Sequence, residues 1–167
     1  MSIASCVVVA NDRPAEFCCY RGRFSTVPAG NDSASTTFSI LFADPTGRTC
    51  AMLEVMGGTL VSGHGWPSSV LLARLLRPGR HAFDGPGAEL SGIAISYIDP
   101  AGHQWQSNLS ARHSKDVFEV KTSAIERGKG GQAISATVYL DCRVFDREGH
   151  SIRLTAAALP LVATMGN

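Results

Sequence analysis

The chain has 167 residues, the usual length of one domain, and 44% of them are apolar, so it can build a sizeable core. Only 17% of the residues are charged, and 15 basic against 14 acidic side chains leave a net charge of +1. This balance excludes a highly charged disordered chain and provides no electrostatic footprint for nucleic acid. No apolar run approaches the ~18 residues that a membrane-spanning helix needs. We therefore expect one β-sandwich-like domain over residues 1–167, with no nucleic-acid partner and no membrane span.

The first quarter of the chain is typical of β-structure. In chain order, the sequence predicts an edge strand, a second strand and a loop at 7–10, 16–24 and 28–35. Phe38, Ile40 and Phe42 then share one face of a further strand, because side chains in a strand alternate between its two faces.

A short motif that is typical of tight turns occurs three times. It reads Asp-x-x-Gly followed by Arg or His, and it spans 44–48, 99–103 and 146–150. The leading carboxylate can accept a backbone N–H two residues later, and the residues in this position are Asp44, Asp99 and Asp146. The glycine supplies the left-handed backbone from which the chain enters the next strand, and the residues in this position are Gly47, Gly102 and Gly149. The motif therefore predicts three β-hairpin turns with positive φ at the glycines.

Between the first two turns the sequence predicts a strand, a loop and a helix. Both faces of the strand over 50–56 are apolar, so we expect burial on both sides. The segment 57–67 contains four glycines and has the composition of a long loop. The segment 68–77 is rich in leucine, can begin with Ser68 as its N-cap and ends before Pro78, which favours a short helix. A strand leading into the Pro78-Gly79 turn is the alternative.

The second half carries the clearest alternation of apolar and polar residues. The predicted strands are 93–97, 116–123, 134–144 and 151–158, and 127–131 is a predicted loop. We expect Val138 and Leu140 to be almost fully buried and the inward face of the last strand to end at Ala158. The tail after Pro160 is predicted to be an edge strand, because proline has no N–H to donate to a neighbouring strand.

Antiparallel hairpins with at most one short helix, near 68–77, predict an all-β fold, either a β-sandwich or a flattened barrel. Three features of the second half are the Pro78-Gly79 turn, the segment from Gln104 to Ser107 and the hairpin that closes about Asp146 to Gly149. With these features the chain resembles small uncharacterised bacterial β-sandwich domains, many of them lipoproteins. The resemblance implies the fold and implies no particular activity.

The cysteines and the N-terminus bear on the cellular compartment. The first ten residues contain no Lys or Arg, so they do not form a secretory signal, and a leader removed upstream is the alternative. An odd number of cysteines without a C-x-x-C pair predicts buried free thiols rather than a disulfide framework or a zinc site. A redox-sensitive pair of adjacent thiols is the alternative at Cys18-Cys19. We expect a reducing, cytoplasmic environment for the five cysteines, which are Cys6, Cys18, Cys19, Cys50 and Cys142.

The candidate binding residues are the two tryptophans and their polar neighbours. His64 and Trp66 lie in the glycine-rich segment 57–67, and Gln104 precedes Trp105. Aromatic faces beside imidazoles and amides are typical of surfaces that bind sugars or peptides. The alternative is that each tryptophan covers an open end of the core.

The sequence contains no motif of a known catalytic, phosphate-binding or metal-binding site, so we predict no catalytic residue, no metal and no cofactor. The leading hypothesis is a non-catalytic protein that binds or assembles through loops and strand edges. Its partner would be a protein, including its own copies, or a glycan. One alternative is an enzyme in which His64, His103 or His150 works with a turn aspartate. The other is a barrel that carries a small apolar ligand.

Overall fold

A computed structural model describes residues 5–30, 32–63, 67–87, 91–128 and 131–165. Its ten strands are β1 (Ser5–Ala10), β2 (Arg13–Gly30), β3 (Ser33–Ala43), β4 (Met52–Ser62), β5 (Gly79–Arg80), β6 (Ile93–Ile98), β7 (Gln104–Gln106), β8 (Val117–Gly128), β9 (Gly131–Phe145) and β10 (Ser151–Met165). The helical segments are α1 (Ser69–Leu72) and two 3-10 turns, Ala73–Leu76 and Ser107–Leu109. The predicted all-β fold with a short helix is confirmed.

The strands belong to one sheet that closes on itself. Around the closed ring the successive neighbours are β2, β3, β4, β6, β7, β9 and β10, and β10 returns to β2. β1 pairs with both β2 and β10, while β8 and β5 extend outward from β9. The pairings between named strands are antiparallel, except that of β2 with β10. This closure corresponds to the flattened barrel among the two predicted forms.

The inward faces of the strands fill the barrel. Val138 and Leu140 have no exposed surface, as predicted, and the alternate residues of β9 from Ile134 to Val144 are buried with them. The largest fully buried side chains are Phe17, Phe38, Phe42 and Phe118. Burying a side chain of this size stabilises the fold by roughly 1.5–3 kcal/mol, so the filled interior is the main source of stability.

The predicted helix over 68–77 forms and packs against one end of the barrel. The Ser68 hydroxyl accepts a hydrogen bond from the N–H of Leu71 at 3.2 Å, which is the predicted N-cap. Leu72, Leu75 and Leu76 are buried in the core. Leu75 packs over Gly58 in the half of β4 that is remote from the three predicted turns, and a Cβ at Gly58 would overlap its side chain.

The three predicted loops are largely strand. β2 and β3 extend into 28–35, β8 and β9 extend into 127–131, and β4 continues through 57–67 as far as Ser62. In β4 the glycines led to the wrong prediction of a loop. Gly57 lies in the strand, where a Cβ would overlap the ring of Phe38. Close packing of a strand on an aromatic ring, rather than a loop conformation, therefore requires glycine there.

The last strand also differs from its prediction. Ala158 is exposed, because a β-bulge between Ala156 and Leu159 shifts the register with β9 and turns Leu159 inward. The tail beyond Pro160 is no separate edge strand, since it continues β10 alongside β9 and its Thr164 pairs with β2. Pro160 lies between the positions where β10 meets β1 and β2, so its missing N–H breaks neither pairing.

Two further expectations about the strands were wrong. The edge strand predicted near the N-terminus, β1, has a neighbour on each side. β4 is fully buried on one face only, since Leu53 is inaccessible while Met52 and Met56 on the other face are half-buried. Glu54 lies on that outer face, where it accepts a hydrogen bond from the hydroxyl of Ser39 at 2.7 Å. Ser39 of the neighbouring strand β3 thus provides a hydrogen-bond donor for Glu54, the one charged residue in an otherwise apolar segment.

Candidate functional site

All three predicted turns form with the backbone that the motif predicts. The φ angle is +66° at Gly47, +85° at Gly102 and +89° at Gly149. In each turn the leading carboxylate accepts the N–H two residues later, at 2.8–3.0 Å. These bonds satisfy backbone donors within the turn and hold its tip in one conformation.

The three turns lie together at one end of the barrel. We call this surface, formed by residues 44–50, 99–105 and 146–150, the turn end. The thiol of Cys50 after the first turn lies 3.7 Å from the carbonyl oxygen of Pro100 in the second turn. Nε2 of His103 after the second turn lies 3.1 Å from Oδ2 of Asp146 in the third turn. Three hairpins that are distant in sequence therefore form one continuous surface.

Asp146 is the centre of the polar contacts at the turn end. Its Oδ1 accepts the backbone N–H groups of Glu148 and His150 at 3.0 and 2.8 Å. Its Oδ2 accepts from Nδ1 of His150 at 2.8 Å and from Nε2 of His103 at 3.1 Å. The Asp146 side chain is 4% exposed, whereas those of His103 and His150 are 49% and 66% exposed. A buried carboxylate therefore orients two exposed imidazoles.

The same contacts perturb the protonation of the cluster. Burial acts to raise the pKa of Asp146, but the hydrogen bonds from His150 and His103 outweigh it and lower that pKa to about 2. The hydrogen bond to Asp146 and the nearby negative charge raise the pKa of His150 above its usual 6.5. Asp146 is thus ionised over the physiological range, and it favours the protonated form of His150.

Trp105 and Gln104, two of the predicted binding residues, lie at the turn end. The rings of Trp105 and His103 pack with their centroids 4.6 Å apart, and Nε1 of Trp105 donates to Oδ2 of Asp99 at 3.3 Å. Trp105 is half-buried and packs against the core, so it also covers this end of the barrel. Gln104 is exposed beside it. In this aromatic pair Trp105 is fixed against the core, while the imidazole of His103 remains accessible.

The other two predicted binding residues, His64 and Trp66, lie outside the described residues, so their role stays a prediction. β4 occupies the first half of the segment 57–67, which was expected to be a long loop that presents them.

The structure describes four of the five cysteines, which are Cys6, Cys18, Cys50 and Cys142. Cys6 and Cys142 are buried as expected, but Cys50 is exposed at the turn end, because it follows the first turn before β4 enters the sheet. The expectation of buried thiols is therefore wrong for Cys50, and Cys18 is only half-buried.

A second histidine–aspartate pair was missed in the sequence. Nδ1 of His113 contacts Oδ2 of Asp116 at 2.5 Å, and Nε2 contacts the carbonyl oxygen of Ser107 at 2.7 Å. The ring stacks on Phe83 with centroids 5.1 Å apart. Both side chains are more than nine-tenths buried, so this pair fastens the segment before β8 to the barrel. The spacing of three residues between His113 and Asp116 was the signal available in the sequence. Nothing in the surrounding polar residues indicates that the pair is buried.

The turn end contains groups that metal binding or acid–base chemistry could use. Donor atoms of Asp146, Glu148 and His150 lie within 4.8 Å of one another, which a cation could use. Both oxygens of Asp146 are already occupied by N–H donors, however, so the cluster serves to brace the turn. Within the described part of the chain, no hydroxyl or thiol side chain is hydrogen-bonded to His103 or His150. A base without a neighbouring nucleophile does not match an acyl-transfer or hydrolase dyad.

Among the residues that the structure describes, no helix is long and apolar enough to cross a membrane. Comparisons with family models, with curated proteins and with solved structures gave no match to this chain.

Proposed function

We propose that this chain is a non-catalytic binding protein that recognises a glycan at its turn end. The observation that carries the proposal is the packed pair of Trp105 and His103, with the exposed amide of Gln104 next to it. A sugar ring has apolar C–H faces that pack on aromatic rings and hydroxyl groups that bond to amides and imidazoles. The turn end offers both kinds of contact within a few residues.

Rigidity of the surface supports a binding role. His103 is held by Asp146, and Trp105 is held by Asp99 and by the core. A surface that is ordered before binding loses less conformational entropy when a ligand docks. The turn end therefore has the fixed geometry that a specific but shallow site requires.

The two alternatives have less support. An enzyme would need an accessible partner for His103 or His150, whereas the carboxylate that contacts both imidazoles, that of Asp146, is 4% exposed and accepts hydrogen bonds that brace the turn. A carrier would need space inside the barrel, whereas the described interior is packed with phenylalanine, isoleucine and leucine side chains. Binding at the surface is the function that uses the features present.

Affinity electrophoresis tests the proposal. The native protein is run through gels that contain one of several soluble polysaccharides, neutral or acidic, alongside His103→Ala and Gln104→Ala. The matched control is Gln132→Ala. It changes the same type of residue near the start of β9, where this strand pairs with Arg127 of β8. We expect at least one polysaccharide to retard the wild type and the control equally, and to retard the two turn-end variants less.

Melting curves of all variants show whether each one folds. If no polysaccharide retards the wild type, or if both turn-end variants are retarded as strongly as the control, the turn end is not a glycan-binding surface. Trp105 is left unchanged in this test, because its contact with the core would mix a loss of stability with a loss of binding.

A further inference from the structure

We infer that the ligand is an acidic glycan, whose carboxylate or sulfate groups bind in a basic groove that continues from the turn end. This inference rests on the proposed function and adds the charge of the ligand to it. The basic groove consists of two adjoining clefts that share Arg112. The first cleft, of about 500 Å³, is bounded by Asp146 and Arg147, and the second, of about 360 Å³, by Lys115 and Arg143.

The four cations of the basic groove are free to meet a ligand. Arg112, Lys115, Arg143 and Arg147 are all exposed. Within the described residues, none of their side chains takes part in an ion pair. By contrast, Arg153 on the same hairpin forms a two-pronged pair with Asp141, at 2.8 and 2.6 Å. A neighbouring carboxylate thus neutralises Arg153, whereas no described carboxylate forms an ion pair with the four cations of the groove.

The carboxylates in the groove walls are already committed to other partners. Asp146 is 4% exposed and bonds to two histidines, and Asp116 is 7% exposed and bonds to His113 and to the N–H of Arg143. The exposed acid nearby, Glu148, lies 3.7 Å from Nδ1 of His150. The groups that the groove presents to a ligand are therefore mainly cationic.

Continuity with the turn end favours a glycan over an acidic peptide. Asp146 lines the first cleft and also accepts a hydrogen bond from His103, so one residue connects the groove with the aromatic pair. A sugar chain seated on Trp105 and His103 would extend past Arg147 and Arg112. Guanidinium groups bind carboxylate or sulfate oxygens through two parallel hydrogen bonds, which suits three arginines along one track.

Binding measurements with four polymers test the inference. The probes are polygalacturonate, which carries carboxylates, dextran sulfate, which carries sulfates, neutral dextran, and polyglutamate as an acidic polypeptide. The variant is R112Q/R147Q, which keeps two polar side chains of similar length and removes both charges. The matched control is R74Q/R77Q, which removes two exposed arginines from a separate groove beside α1.

We expect an acidic polysaccharide to bind the wild type, with the affinity falling as salt rises. R112Q/R147Q should bind at least about tenfold more weakly, as expected for losing hydrogen bonds between charged groups, while R74Q/R77Q stays within about twofold of the wild type. Comparing polygalacturonate with dextran sulfate identifies which anionic group the groove prefers. His103→Ala should weaken the same interaction, which joins the groove to the turn end.

Three results would overturn the inference. Binding of neutral dextran as tightly as the acidic polymers, with no effect of R112Q/R147Q, would remove the charge requirement and leave the proposed function standing. Equal losses in the two double variants would show a general effect of net charge. Binding of polyglutamate with no binding of any polysaccharide would identify a polypeptide partner, and the proposed function would fail together with the inference.

Discussion

Nε2 of His103 lies 3.1 Å from Oδ2 of Asp146, although 43 positions separate the two residues in the sequence. Each belongs to a copy of the same turn motif, but His103 is the last residue of one copy and Asp146 is the first residue of another. Asp44, the first residue of the remaining copy, bonds instead to the hydroxyls of Thr46 and Thr49 within its own turn. The repeated motif thus shapes three similar turns, and their side chains make different contacts.

The conformation of Gly149 should limit which residues can replace it. Its φ of +89° is strained for any residue with a Cβ, although no other atom lies within 4 Å of the Cβ position. Gly149→Val should therefore destabilise the protein by about 1–2 kcal/mol. The urea midpoint measures this loss, and Gly63→Val is the control, because Gly63 has open space and no positive φ. Equal midpoints for the two variants would mean that φ does not determine the cost.

Truncation of Leu140 should cause a much larger loss. Its side chain is fully buried in the barrel, so Leu140→Ala leaves a cavity and should cost roughly 2–5 kcal/mol. Thr137→Ala in the same strand, on the outward face, should cost less than about 1 kcal/mol. Urea unfolding of both variants checks the assignment of the faces, and a larger loss in Thr137→Ala would reverse it.

The first turn should make stability depend on pH in the acidic range. Hydrogen bonds from the hydroxyls of Thr46 and Thr49, and then from their N–H groups, lower the pKa of Asp44 to about 2 from its usual 3.8. A lowered pKa in the folded state stabilises the protein above pH 3.8, and this stability is lost as the pH falls from 3.8 towards 2. In Asp44→Asn the dependence over this range should be weaker.

Urea midpoints at several pH values between 2 and 5 measure this dependence. Thr49→Val removes one hydroxyl donor and should give an intermediate slope. An unchanged slope in Asp44→Asn would show that the hydrogen bonds of this turn do not contribute to acid stability.

The thiols should differ strongly in reactivity. Cys50 is exposed, whereas Cys142 is buried, and burial raises the pKa of the Cys142 thiol well above its usual value. An alkylating reagent at pH 8 should therefore modify Cys50 in the folded protein and reach Cys142 only after unfolding. Mass spectrometry of digested samples identifies the modified residues. Modification of Cys142 at the rate of Cys50 would place β9 outside the core.

Local chemistry determined the parts of the fold that sequence reasoning could predict. The interactions that form the turn at Asp146 act within five residues, so the motif alone predicts the hydrogen bonds and the positive φ of Gly149. The alternation around Val138 and Leu140 reflects the two faces of a strand, and Ser68 with the leucines after it forms a helix for equally local reasons. The alternation between the two faces wrongly predicted that Ala158 points inward, because a β-bulge shifts the register there and no local sequence signal indicates it.

Tertiary structure alone decided which of these parts meet. The pairing of β7 with β9 places the second and third turns side by side, which brings His103 to Asp146 and lets Arg112 share a groove with Arg147. The glycine at position 57 is needed by the ring of Phe38 on the neighbouring strand, which no pattern along one segment can indicate. Turn chemistry and alternation act between residues close in sequence, whereas the candidate site depends on strand register across the closed barrel, which is set by the packing of the whole core.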